Sequence, residues 1–303
     1  MPGQHSTQSF RNGVLLIIGS ALVWSFGGTI SRFLAVHDSW TVVFWRSLFA
    51  ASFLLVYMLA TSGFSATTAM FRNMGWAGLA VACCFAVAST SFVVALAYTT
   101  VANILLMQAG VPLLAALLAW ILFREAATTA TKLAIAAVIA GVGIMVSESL
   151  TGRVSPIGDG LALLIACVFA IATVLTRRHA EVKMLPAVCL ATTMAGVFAC
   201  FMAGGFAVSP VDLGLLVLFG AVNLGAGLAM FSNGARLIPA ALAALIGTLE
   251  PVLGPIWVWL IHNEVPSPRT IIGGLVVFVA LLAHLVVQAR MQPQIKEEFP
   301  HAH

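Results

Sequence analysis

The chain has 303 residues, of which 61% are hydrophobic and 8% charged, and its formal net charge is +4. Average soluble proteins carry about a quarter charged residues, so this composition, with a mean hydropathy of +1.07, excludes a water-soluble globule and places the chain in a bilayer. A pI near 9.0 is accounted for by basic loops at the membrane surface and calls for no nucleic acid.

Ten apolar stretches, each long enough to cross a hydrocarbon core of ~30 Å as a helix, follow one another along the chain. The polar segment 1–12 is expected to be a cytoplasmic tail, and it runs into a first span, 13–35, that is too long for a cleavable signal and carries Trp24 near its middle. Span two, 40–60, contains Arg46, and the longest connection, 61–74, reads as a loop. Span three, 75–97, contains Ser89, Thr90 and Ser91 and ends at Tyr98. Span four, 102–122, contains Asn103, Gln108 and Pro112, and span five, 131–148, ends on Glu148. A link at 149–155, with Gly152 and then Pro156, separates two sets of five.

The second set begins with span six, 156–177, holding Phe169, and continues with span seven, 186–206, and span eight, 213–235, holding Asn223. Span nine, 239–260, holds Glu250, Pro251 and Pro255, span ten, 270–289, holds His284, and 290–303 reads as a cytoplasmic tail. Continuous apolar runs exclude the alternating strands of a membrane β-barrel. If the N-terminus is cytoplasmic, 10 Lys and Arg residues face inside and 3 outside, with Arg46 in a span, so both termini are expected in the cytoplasm.

The chain also repeats itself. Glu125 and Glu264 stand 139 residues apart, and the same offset pairs Trp120 with Trp259, Pro112 with Pro251, Leu114 with Leu253, Leu106 with Leu245 and Ala102 with Ala241. A weaker match at 145 sets Trp24 against Phe169 and Arg32 against Arg177. Two copies with five spans each must lie upside down relative to one another, as in many secondary transporters. The domain reading is therefore a first repeat over 13–148 and a second, inverted repeat over 156–289.

Glu250 is near the bilayer centre, where a charge costs from ~2.5 kcal/mol upward. It either lines a cavity, binding an ammonium group or a proton, or braces backbone freed by Pro251, pairs with Arg46, or stays protonated. Arg46 either snorkels or meets a substrate carboxylate. Asn103, Gln108, Asn223 and Tyr98 are candidates for lining a site or for bonding between helices. His284 is a candidate proton relay as well as a satisfied polar residue. Trp24 and Phe169, at one depth in the first helix of each half, are candidates for an apolar cavity wall. Pro112 and Pro251, matched across the repeat, are expected to kink spans four and nine and to act as hinges.

The five cysteines lie within spans and read as apolar fillers, without Cys or His spacing for a metal. No nucleotide, protease or hydrolase motif occurs, so neither an enzyme nor a cofactor is expected.

Several of these segments carry a resemblance: Trp24-Ser25, Phe44-Trp45-Arg46, Ala97-Tyr98-Thr99-Thr100-Val101-Ala102, Pro112 to Glu125, and its second copy from Leu249-Glu250-Pro251 to Glu264. On them, and over nearly its whole length, the chain resembles the drug/metabolite transporter superfamily and, within it, the EamA-type ten-helix transporters. The resemblance implies two inverted five-helix repeats around a central cavity that opens to one side at a time, and a general rather than substrate-selecting role for the Glu250-Pro251 pair. Within the family the chain is most similar in texture to YddG-type exporters of aromatic and other apolar amino acids.

The expected protein is thus a multi-pass carrier of a bacterial inner membrane. It would export small amphipathic metabolites, amino acids first, and work as a monomer because both repeats share one chain. Efflux of cationic drugs is an alternative, although the small multidrug relatives use an acid in the first helix and span one has none. Nucleotide-sugar exchange calls for several cavity cations, and a lipid-processing enzyme calls for loop-borne acids or histidines. Both are weaker readings.

Overall fold

The computed structural model describes residues 2–124, 128–147, 155–179 and 183–298, and every regular element among them is a helix. Nine helices are long and apolar enough to cross a membrane among these residues, and ten spans result when the bent pair Val101–Gln108 and Val111–Phe123 is counted as one. The absence of a water-seeking face fits an element that satisfies every backbone group internally and meets lipid outside.

Several spans are interrupted where the sequence reading had single helices. Span one is Pro2–Ser25 followed by Gly27–Phe33, with a turn at Phe26. Span two, Ser39–Arg72, is helical through most of the connection expected to be a loop, and breaks only at Gly63, whose φ of 77° is left-handed. Beyond the break Thr67 is buried and donates to the Gly63 carbonyl, while Met70 and Phe71 pack on Leu54 and Met58. Apolar side chains two turns past a glycine were enough to hold that segment against the bundle.

Span three is Gly75–Ala95, span five Thr129–Val146, span six Pro156–Arg178, span seven Met184–Met202 and span ten Pro268–Glu298. Span eight joins Pro210–Val217 to Gly227–Gly234 through a π-helical stretch, Leu218–Ala226. Span nine consists of Ala240–Gly247 and Leu249–His262.

The prolines act one turn earlier than their own positions. Lacking an N–H, a proline frees the carbonyl four residues before it, which is Gln108 for Pro112 and Gly247 for Pro251. Those two residues end the first segments of spans four and nine, and span four bends there by 41°. Each proline then sits in the first turn of the following segment, where its missing donor leaves no helical bond unmade. The second segments also end alike, in left-handed residues Arg124 and Asn263 that share φ 55° and ψ 27°.

Packing obeys the same exchange of halves. Spans two and seven, counterparts in the two repeats, lie against each other, as do five and ten. Span one packs on eight and nine, while its counterpart six packs on three and four. Spans five and ten meet at Gly141 and Gly273, where a Cβ on Gly141 would stand 2.7 Å from the Gly273 carbonyl oxygen, a close approach of the small-residue kind. With ten spans, the ends of the chain and the joints two–three, four–five, six–seven and eight–nine share one face, called here the termini face. The remaining joints form the opposite face.

Candidate functional site

The breaks in spans one, four and nine and the π-helical stretch of span eight all border one cavity of about 440 Å³ at the centre of the bundle. It extends toward the termini face as far as Met184, the first residue of span seven. Its volume lies within the ~300–1,000 Å³ of small-molecule sites. Trp24, Arg46, Gln108, Phe169, Asn223 and Glu250 line it together, with Pro112 and Pro251 at the two helix breaks.

Aromatic walls dominate. Trp24 packs on Phe231 with ring centroids 5.4 Å apart, and Phe169 meets Phe85 edge to face at 5.4 Å. Phe92 joins them in the wall. Phe85, Phe92 and Phe231 were not singled out from the sequence, because spans three and eight are apolar on all sides and periodicity marks no inner face.

Arg46 is buried, with 6% of its surface exposed. Its Nη1 donates to Ser89 Oγ at 2.7 Å, and the guanidinium carbon lies 4.4 Å from the centre of the Phe219 ring. Span eight comes close enough for this because of Gly220, whose Cβ, if present, would collide with the Arg46 carbonyl oxygen and lie 2.9 Å from Phe49 Cβ. Among the described residues no carboxylate pairs with Arg46, and its Nε is buried without a hydrogen-bond partner. The Gln108 amide nitrogen, on the same cavity, is likewise buried and unpartnered.

Glu250 faces this cavity half-buried and forms no ion pair or hydrogen bond among the described residues. The pairing with Arg46 that the sequence left open is therefore not formed. Among the described residues, the cavity thus brings together a guanidinium without a carboxylate partner and an unpaired carboxyl, set among aromatic rings.

Asn223 has a different task from a free cavity amide. Its Nδ2 donates to the carbonyls of Val23 at 2.5 Å and Trp24 at 3.3 Å, which the turn at Phe26 has released from span one. On the other side of that turn, Trp257 Nε1 donates to Ser25 Oγ at 3.0 Å and the Trp257 ring stacks on Phe26. These bonds join residues about 200 and 232 positions apart, and no local sequence signal announces them.

Three candidates lie elsewhere. Tyr98 and Asn103 line a second, more polar cavity of about 350 Å³ on the opposite face, together with Arg32, Thr99 and Asp159. Asn103 is buried there and donates to Asp159 Oδ1 at 2.5 Å and to Thr99 Oγ1 at 3.1 Å. Asn103 and Gln108 share the helical segment Val101–Gln108, and five residues of helix turn their side chains about 140° apart, so the two amides face different chambers. His284 is buried in span ten and lines neither cavity; its neighbours Leu281 and Leu285 pack on Leu113 and Val138. Glu125 and Glu148 lie outside the described residues. No group of three or more His, Cys, Asp or Glu side chains suited to a metal occurs among the described residues.

Compared with known proteins, the sequence matches the EamA-like transporter family twice, over residues 11–147 and 156–286. No curated protein matches it. Among solved structures, one described only as the crystal structure of a protein is similar, with a TM-score of 0.64 and 17% identity over 91% of this chain and 97% of that one. That likeness concerns the fold.

Proposed function

Because the chain belongs to the EamA-like transporter family, and so is a membrane transporter of the drug/metabolite superfamily and not an enzyme, we propose that it carries amino acids with aromatic or other apolar side chains through the central cavity. The observation that carries this reading is the placing of Arg46, which has no carboxylate partner among the described residues, and an unpaired Glu250 on one cavity that Gln108 also lines. A hydrogen bond to a charged group contributes about 1.5–3 kcal/mol, which a substrate carboxylate meeting the guanidinium would supply. Glu250 suits the ammonium, and the Trp24, Phe85, Phe169 and Phe231 walls suit an apolar side chain.

Access alternates between the two faces as the repeats rearrange, with the breaks before Pro112 and Pro251 as bending points. Export across a bacterial inner membrane, cytoplasmic termini, repeats bounded at 13–148 and 156–289, and action as a monomer belong to the same proposal. They are supported by the 10 to 3 bias of basic residues and by two family matches in one chain. Glu250 and His284 are the residues through which a proton would couple to transport.

Glu250 alone would equally serve a cationic drug, and Arg46 decides against it: an unpaired buried guanidinium repels a cation and attracts a carboxylate. The test uses proteoliposomes and counterflow of radiolabelled tryptophan, with tryptamine and indole-3-propionate as competitors. Arg46→Gln is expected to raise the KM for tryptophan about tenfold or more, from the ~1.5–3 kcal/mol of a hydrogen bond to a charged group, and to abolish competition by indole-3-propionate. Counterflow of tryptamine that survives Arg46→Gln, with no tryptophan flux in the unmodified protein, would replace the amino-acid reading with the cationic one.

A further inference from the structure

The cavity that the mechanism uses reaches toward the termini face, and the opposite face is tied shut by polar contacts between the two halves. The one ion pair among the described residues is there: Arg32 Nε donates to Glu264 Oε2 at 2.8 Å. Arg32 closes span one and Glu264 follows the left-handed cap of span nine. Glu264 Oε1 also accepts from the Val101 N–H at 2.8 Å, the first donor of span four. Arg32 also donates from Nη1 and Nη2 to carbonyls just past the end of span three, Leu96 at 2.7 Å and Thr99 at 3.0 Å. Four spans from both halves thus converge on two side chains.

We propose that the Arg32–Glu264 pair is a latch that holds the opposite face closed, and that opening the cavity to that face requires the pair to part. A latch must be strong enough to favour one state and weak enough to release. Arg32 and Glu264 meet this because they are partly buried, with 28% and 18% of their side chains exposed. A surface pair would contribute almost nothing and a fully buried one would resist separation. Arg32 also lines the polar cavity on that face, so water reaches the pair from outside and can solvate both charges as they separate. Glu264 is bonded to the first N–H of span four and Arg32 to two carbonyls just past the end of span three, which couples the pair to the elements that must move.

This inference rests on alternating access but not on the identity of the substrate, and its test needs none. Spin labels at Ala97 and Val265, exposed residues of the first and second halves beside the latch, replace the native thiols as the sole cysteines in protein reconstituted into nanodiscs. Distances are then measured by double electron–electron resonance. Arg32→Gln leaves the Glu264 bond to Val101 intact, and Glu264→Gln keeps an acceptor there, so both variants preserve the helix start. Each is expected to raise the long-distance population about fivefold, the shift carried by a partly buried pair of ~1 kcal/mol. Distributions unchanged in both single variants would overturn the latch. Failure of tryptophan flux would leave these distances unaffected and so would count only against the substrate reading.

Discussion

Asp38 shows how single polar side chains secure a bundle that is otherwise held by apolar contact. It caps span two, accepting from the Trp40 N–H at 3.1 Å, the Thr41 N–H at 3.3 Å and the Thr41 hydroxyl at 2.7 Å, and it reaches across to the Gly204 N–H at 3.0 Å. Partial burial pushes the carboxyl upward, but the Thr41 hydroxyl and the three backbone donors outweigh it and hold the group below its ordinary value. A carboxyl with a depressed folded pKa stabilises fully above the unfolded value, about 3.9, and loses that contribution as pH falls through the lower folded one. Asp38→Ala should therefore cost about 1 kcal/mol of stability at neutral pH, a typical helix-cap loss, and the gap to the unmodified protein should close on acidification below about pH 4. Thermal unfolding in detergent, followed by tryptophan fluorescence, measures both; a gap as wide at pH 3 as at pH 7 would show that the cap does not act through its charge.

At the scale of helices, the spans themselves were readable because a bilayer demands long apolar runs, and all ten stretches contain a helix. Breaks were readable only where a residue type enforces them. Pro112 and Pro251 announced the interruptions of spans four and nine, displaced by the one turn over which a proline removes its bond. The turn at Phe26 and the π-helical stretch of span eight carry no such residue. They depend on Asn223 capping released carbonyls nearly 200 residues away in sequence, a tertiary effect that local propensity does not contain. Restoring an N–H with Pro112→Ala or Pro251→Ala lets the freed Gln108 or Gly247 carbonyl take its helical bond and stiffens the bend. The expected outcome is a maximal transport rate lower by about tenfold with a change in KM alongside it, since hinge positions set the conformational step and commonly move both. Full rates in both alanine variants would remove the hinge role from these positions.

At the scale of the whole molecule, the site is an assembly that neither half makes alone, and this sets what a sequence can reveal of it. Polar and aromatic residues that are unusual in a span, such as Arg46, Glu250, Gln108 and Trp24, stood out singly, and the fold brings them to one cavity. Asn103 stood out for the same reason, but it lies more than a turn before Gln108 and on another side of the same helix, so it lines the polar cavity on the opposite face. Phe85 and Phe92 did not stand out, because a phenylalanine facing a cavity and one facing lipid look alike in an apolar helix.

The repeat supplies information that no single residue does. Arg124 and Asn263, 139 positions apart, end their spans with one backbone geometry. Glu264 follows Asn263 and forms the latch; Glu125 follows Arg124, outside the described residues, and Arg177 aligns with Arg32. If exchange of the halves also exchanges the faces, Glu125 stabilises closure of the termini face as Glu264 stabilises closure of the other. Glu125→Gln should then lower the long-distance population between labels at Ala97 and Val265, where Glu264→Gln raises it. Because the two glutamates act on opposite sides of one equilibrium, combining the variants should return the population to near its original value, each offsetting a shift of about fivefold. A Glu125→Gln variant that moves the population in the same direction as Glu264→Gln would mean that the two faces are not closed by equivalent devices, and the symmetry of the fold would then stop short of its switching.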